Sequence, residues 1–264
     1  MTKKIILTVF ILSSLFCLSL IFVLNIKIAG MDSGVIISVF GNSVNNSDGG
    51  GDMSPEKVLG YIQSGIAIAI FFVSLFISLF AVSGIYPDLL KKGSIDLILS
   101  KPISRYRIFF QRFSGAMTVI AGSIFYILIF SWVVLSSKFG MWNVRFLYSG
   151  VLILIFFYNI FSVLALLSML LKNGVVSLLL TYFIVFILSP IVSAVDRFSV
   201  VSNKIYRPMI SSLDFILPKL SDTVIGITDM VTGKDISVYV AAGPFLTGTA
   251  LLFISAYIFR KTDF

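Results

Sequence analysis

The chain has 264 residues, of which 58% are hydrophobic and 12% charged, with a mean hydropathy of +1.05 and a formal net charge of +8. An ordinary soluble domain carries about 25% charged residues, so the composition excludes a soluble domain and describes a chain solvated largely by lipid. Histidine is absent and Cys17 is the single cysteine; an internal disulfide is excluded, a zinc or copper site lacks soft ligands, and no metal site is expected.

A bilayer-spanning helix needs about 20 mostly apolar residues. Six charge-free runs reach that length: 5–26, 58–86, 113–137, 146–171, 175–195 and 236–259. The first follows "MTKK", a fair signal-peptide start. Its apolar stretch exceeds the roughly 7–15 residues of a signal core, and Lys27 spoils a small-residue cleavage site near Ala29, so a retained anchor is expected. The loop 27–57 holds "GNSVNNSDGGGD" and reads as a flexible tip. Its glycines follow no strand and precede no Lys-Ser or Lys-Thr pair, so it is no phosphate loop.

Between the second and third spans, eight charged residues (Asp88, Lys91, Lys92, Asp96, Lys101, Arg105, Arg107 and Arg112) surround one short apolar patch. Gly93 breaks the preceding span. Ser94 is a good N-cap, and Asp96 falls where a helix dipole favours negative charge. Ile95, Ile98 and Leu99 then share one face, widened by Leu97, through Ser100. Pro102 ends the helix and pushes Lys101 out of the α region; Ile103 follows, and Ser104 caps a helix that runs through Arg105, Arg107 and Arg112 into the third span. Such a helix either lies among anionic headgroups or docks into a groove on a soluble partner.

Further along, Trp142 marks a short external connection at an interface, and Lys172-Asn173-Gly174 is a tight turn in which Asn or Gly suits a left-handed residue. The stretch 196–235 predicts two short amphipathic helices between spans five and six. Pro208 opens the first, with Tyr206, Met209, Ile210, Leu213, Ile216 and Leu217 on one face, and Pro218 stops it; Ser221 caps the second, which carries Val224, Ile225, Thr228 and Val231. They read as a lid, a dip toward the spans, or helices lying on lipid.

With an even number of spans, both termini share a side. That side carries Lys3, Lys4, Lys91, Lys92, Lys101, Arg105, Arg107, Arg112, Lys172, Arg260 and Lys261 against Asp88, Asp96 and Asp263, while the other side balances nine basic with nine acidic residues. Basic loops stay inside, so cytoplasmic termini in an inner (cytoplasmic) membrane are expected, and the charge signals topology rather than nucleic-acid binding. The expected fold is all-α: a six-helix transmembrane bundle forming one domain over 1–264, with a short cytoplasmic helix between spans two and three.

"GSIDLILSKPISR" resembles the cytoplasmic coupling segment of ABC-2-type transporter permeases, roughly Gly-Thr-x-acidic-x-Leu-Leu-Ser-x-Pro-Ile/Val-Ser-Arg between spans two and three. Gly93, Asp96, Leu97, Leu99, Ser100, Pro102, Ile103, Ser104 and Arg105 fit it; Ser94 replaces Thr, and Ile98 stands where Leu is usual. The acidic residue that the family carries four before the glycine is displaced, with Leu89 in its place and Asp88 one step off. The resemblance implies the membrane permease subunit of an ATP-driven exporter, and the charge-free apolar spans suit an amphipathic cargo. It implies a partner ABC ATPase subunit and a second permease copy or related permease. The chain has no Walker A sequence, so it binds no cofactor of its own and is not an enzyme; ATP and Mg belong to the partner. Gly93, Ser94, Ile95, Asp96, Ile98, Leu99, Ser100, Lys101, Pro102, Ser104 and Arg105 would form the contact.

The main rival is an ion-coupled secondary transporter. Proton and ion relays use ionisable groups inside the membrane, and the six runs hold no Asp, Glu, Lys, Arg or His. Apart from Asn25 at a helix end, Gln63 and Asn159 are their only side-chain amides. Both are candidate substrate contacts, although helix–helix hydrogen bonds are the expected role. An intramembrane enzyme lacks a base and an acidic pair. A non-transporting scaffold gives no reason for the 93–105 pattern.

Overall fold

The computed structural model describes residues 11, 14–15, 24–28, 35–39, 42–45, 55–89, 104–197, 214, 217–235 and 237–261. Helix dominates them. The helices are α1 (Pro55–Val82), α2 (Ile85–Leu89), α3 (Arg105–Phe139), α4 (Arg145–Leu171), α5 (Gly174–Phe183), α6 (Ser189–Arg197), α7 (Leu220–Thr232) and α8 (Tyr239–Lys261), with a π-helical turn Ile184–Leu188 joining α5 to α6.

Five segments are long and apolar enough to cross a bilayer: Leu59–Pro87, Arg105–Lys138, Arg145–Leu171, Gly174–Val195 and Tyr239–Lys261. They coincide with five of the six expected runs, and the chain is a multi-pass, membrane-embedded protein. The first expected span, 5–26, lies outside the described residues except for Ile11, Ser14 and Leu15, which are helical, and its last three positions, which are not.

Those last positions belong to a small sheet that accompanies the expected helical architecture. Strands β1 (Leu24–Ile28), β2 (Val35–Val39) and β3 (Asn42–Asn45) form an antiparallel sheet in the order β1-β2-β3. Leu24 pairs with Val39, Ile28 with Val35, and Val39 with Asn42. The residue types explain it. Ile26, Ile28, Val35, Ile36, Ile37 and Val39 are β-branched and suit a pleated surface, and Val39 opposite Asn42 leaves a two-residue hairpin connection. The polar composition of 41–52, expected to give a flexible tip, therefore hides a paired strand at its start.

Contacts divide the chain into two compact units. One lies within Met1–Ser74, Gly122–Val151 and Ile227–Asp235; the other lies within Leu75–Ala121, Leu152–Gly226 and Ile236–Phe264. The second holds an aromatic core. Tyr86 stacks on Phe109 at 4.9 Å and Phe113 on Phe161 at 4.7 Å, and Phe109 meets Phe259 at 5.9 Å. All five rings are buried.

Three local expectations change. In the turn 172–174, the left-handed residue is Lys172 (φ 52°), not Asn173 or Gly174. Asn173 is extended because it is the N-cap of α5, accepting from the backbone N–H groups of Val175 at 3.0 Å and Val176 at 3.4 Å; one residue cannot cap in the β region and also turn left-handed. In α7, Ser221 lies inside the helix rather than capping it. The chain turns directly after Pro218, whose carbonyl accepts from the Leu220 N–H at 2.9 Å, and the Lys219 carbonyl takes the Thr223 N–H at 3.1 Å. The buried face of α7 is Thr223, Ile227 and Val231, while Ile225 is exposed. The first expected amphipathic helix, 208–217, lies outside the described residues apart from Asp214 and Leu217.

Pro190 explains the π-helical turn. It has no N–H to continue the α ladder, and the Ser189 N–H reaches back to the Ile184 carbonyl, the wider spacing that relieves a proline clash.

Candidate functional site

Of the expected contact residues, Gly93, Ser94, Ile95, Asp96, Ile98, Leu99, Ser100, Lys101 and Pro102 lie outside the described residues, and only Ser104 and Arg105 are seen. Ser104 caps α3. Its hydroxyl accepts from the Arg107 N–H at 3.4 Å, and its carbonyl takes the Ile108 N–H at 3.2 Å. Arg105 donates through Nη1 to the Arg260 carbonyl at 3.1 Å, which ties the start of α3 to the end of α8.

Both ends of the segment 90–103 are anchored in one aromatic cluster. On the incoming side, Tyr86 and Leu89 are buried. On the outgoing side, one turn into α3, Phe109 stacks on Tyr86, and Phe259 closes the cluster from α8. Close-packed aromatic contacts transmit displacement rather than absorb it. Sequence reasoning missed this cluster, because the only signal was the bulk of aromatic residues in otherwise ordinary spans.

Asn159 and Gln63 sit in separate units and share a pattern. Asn159, on α4, is fully buried and donates through Nδ2 to the Pro244 carbonyl at 2.8 Å and to Thr247 Oγ1 at 2.6 Å on α8. Gly248 permits this approach, since a Cβ there would stand 2.9 Å from the Asn159 Cα. In the other unit, Gln63 Oε1 accepts from Asn143 Nδ2 at 2.8 Å, and the same amide reaches the Val231 carbonyl at 3.1 Å. Asn159 thus spends its nitrogen on a helix–helix contact, and Gln63 its oxygen on a helix–loop contact. Asn159 Oδ1 and Gln63 Nε2 are buried with no partner among the described residues, leaving hydrogen-bonding capacity inside the membrane-embedded part.

At the Tyr239 end of α8, a cleft of about 370 Å³ is lined by Leu217, Lys219, Asp222, Tyr239, Val240 and Pro244, among others. One lysine there meets two carboxylates. Lys219 Nζ lies 2.6 Å from Asp214 Oδ2 and 4.0 Å from Asp222 Oδ2, and Ser193 donates to Asp214 Oδ1 at 2.6 Å.

No family model, curated protein or solved structure matches this chain.

Proposed function

We propose that the chain is the membrane-spanning permease subunit of an ATP-driven, ABC-2-type transporter that moves an amphipathic cargo, with ATP hydrolysis supplied by a separate ATPase subunit. One observation carries this reading: "GSIDLILSKPISR" stands in the sequence between two helices long and apolar enough to span a membrane, and its residue order predicts an N-cap, a single apolar face, a proline stop and a second cap. The described ends agree with it. A helix pushed by an ATPase has to hand its motion to the spans, and Tyr86 and Phe109 join both ends of the segment to one packed cluster. Nucleotide-driven closure of the ATPase would bias a two-state packing at that cluster. Cargo contacts are sought first at Gln63 and Asn159, the amides with unspent donors or acceptors.

The test is co-purification from membranes in mild detergent. The wild-type chain is expected to retain a subunit that azido-ATP labels, and Leu99→Asp or Ile98→Asp to lose it while still inserting. Retention unchanged by both substitutions points instead to a helix that rests on lipid.

A further inference from the structure

We propose that the paired ends of α3 and α8 form a binding site for a phospholipid with a net negative headgroup. Arg107, Arg260 and Lys261 take the phosphate, and the exposed Phe253–Tyr257 face of α8 takes an acyl chain. The proposal does not depend on the ATPase partnership.

The site begins with the bond from Arg105 Nη1 to the Arg260 carbonyl, which brings the two helix ends together. The Arg260 guanidinium lies over the Tyr106 ring, 5.8 Å from its centroid, and Lys261 Nζ lies over the Tyr257 ring at 4.9 Å. An aromatic face holds a cation in place without neutralising it. Arg107, Arg260 and Lys261 are exposed, and no acidic side chain among the described residues pairs with them. Arg260 and Lys261 are thus each held over a ring, and Arg107 follows Tyr106 on α3, with no acidic partner among the described residues.

An apolar track leads away from them. Phe253, Tyr257 and Lys261 follow one another at four-residue spacing, which places them on one side of α8. Phe253 is 60% and Tyr257 50% exposed. Phe110 of α3 meets Phe253 edge-on at 5.9 Å and flanks the track. The track lies within the membrane-spanning stretch Tyr239–Lys261 and the cations at its end, where lipid phosphates lie. A choline headgroup would bring its own positive charge among these cations, so a net-negative headgroup is preferred. An acidic protein surface would satisfy the cations and leave the track, which lies in the bilayer, uncovered.

The test is native mass spectrometry of the full chain in neutral detergent with equimolar phosphatidylglycerol and phosphatidylcholine. The wild type is expected to retain phosphatidylglycerol selectively. Arg260→Gln with Lys261→Gln is expected to weaken that retention roughly 30-fold, and Arg107→Gln alone roughly fivefold, at about 1 kcal/mol per basic residue near an anionic surface. Circular dichroism and a monodisperse elution profile verify folding, and the Arg107 variant carries the test if the double variant misfolds. Lys138→Gln with Lys172→Gln, placed elsewhere, is expected to leave retention unchanged. An equal loss in that control overturns the site. Displacement of the lipid by glycerophosphoglycerol at equal concentration overturns the acyl assignment and makes this a free-anion site. Loss of an azido-ATP-labelled subunit in the Arg260/Lys261 variant, with lipid retention intact, assigns the surface to a protein partner and overturns the proposal.

Discussion

The residues that do most in this molecule are few and polar. The Asn143 side chain carries three contacts: its Nδ2 reaches Gln63 Oε1 and the Val231 carbonyl, and its Oδ1 takes the Arg145 N–H at 3.1 Å. Asn143→Ala is expected to destabilise the protein in detergent by about 1–2 kcal/mol, because it strands the buried Gln63 oxygen. Adding Gln63→Leu should recover part of that loss, since both orphans are then removed; thermal unfolding of the single and double variants measures it, and strict additivity would contradict the pairing. Gly248→Val is expected to cost more, about 2–3 kcal/mol, because the new Cβ meets the Asn159 backbone at 2.9 Å and the Tyr158 ring at 3.1 Å. Unfolding temperature in the same detergent checks it. Gln63 and Asn159 stood out in the sequence because amides are rare in the spans. Asn143 did not, because it lies in a loop where an asparagine needs no explanation.

Among the elements, the spans were legible and the short pieces were not. Five spans announce themselves because charge is absent from each for about twenty residues, and lipid forbids any backbone there but one that satisfies itself. Ser104 as the cap of α3 was legible for a similar reason: a hydroxyl after Pro102 and before a helical run has one obvious use. The β1–β2–β3 sheet was not, because its first strand continues an apolar run and its last lies among Asn and Ser residues, so composition concealed the β-branched pattern at Val35–Val39. The turn at Lys172 was misassigned because Asn173 has two favoured uses and the helix cap won. The π-helical turn before Pro190 follows from that residue's missing N–H. For the segment 93–105, the expected basic exit gives an element-level prediction. Lys101→Glu should weaken ATPase co-purification, and more so at low than at high salt, because screening is least there. A salt-independent loss would contradict an electrostatic contribution at that position.

For the whole molecule, the account depends on motion entering at one end. The segment between α2 and α3 starts and finishes on the same buried cluster of Tyr86, Phe109 and Phe259, so a force applied to it acts on packed spans rather than on slack loops. Whole-chain composition is that of a membrane protein, and the absence of ionisable groups from the apolar runs disfavours ion coupling. The most direct measurement is photocross-linking in native membranes, with a benzoylphenylalanine introduced at Leu99. The account predicts a cross-link to an azido-ATP-labelled subunit whose yield changes when nucleotide is added. Adducts with lipid alone, in membranes where transport is active, would contradict it.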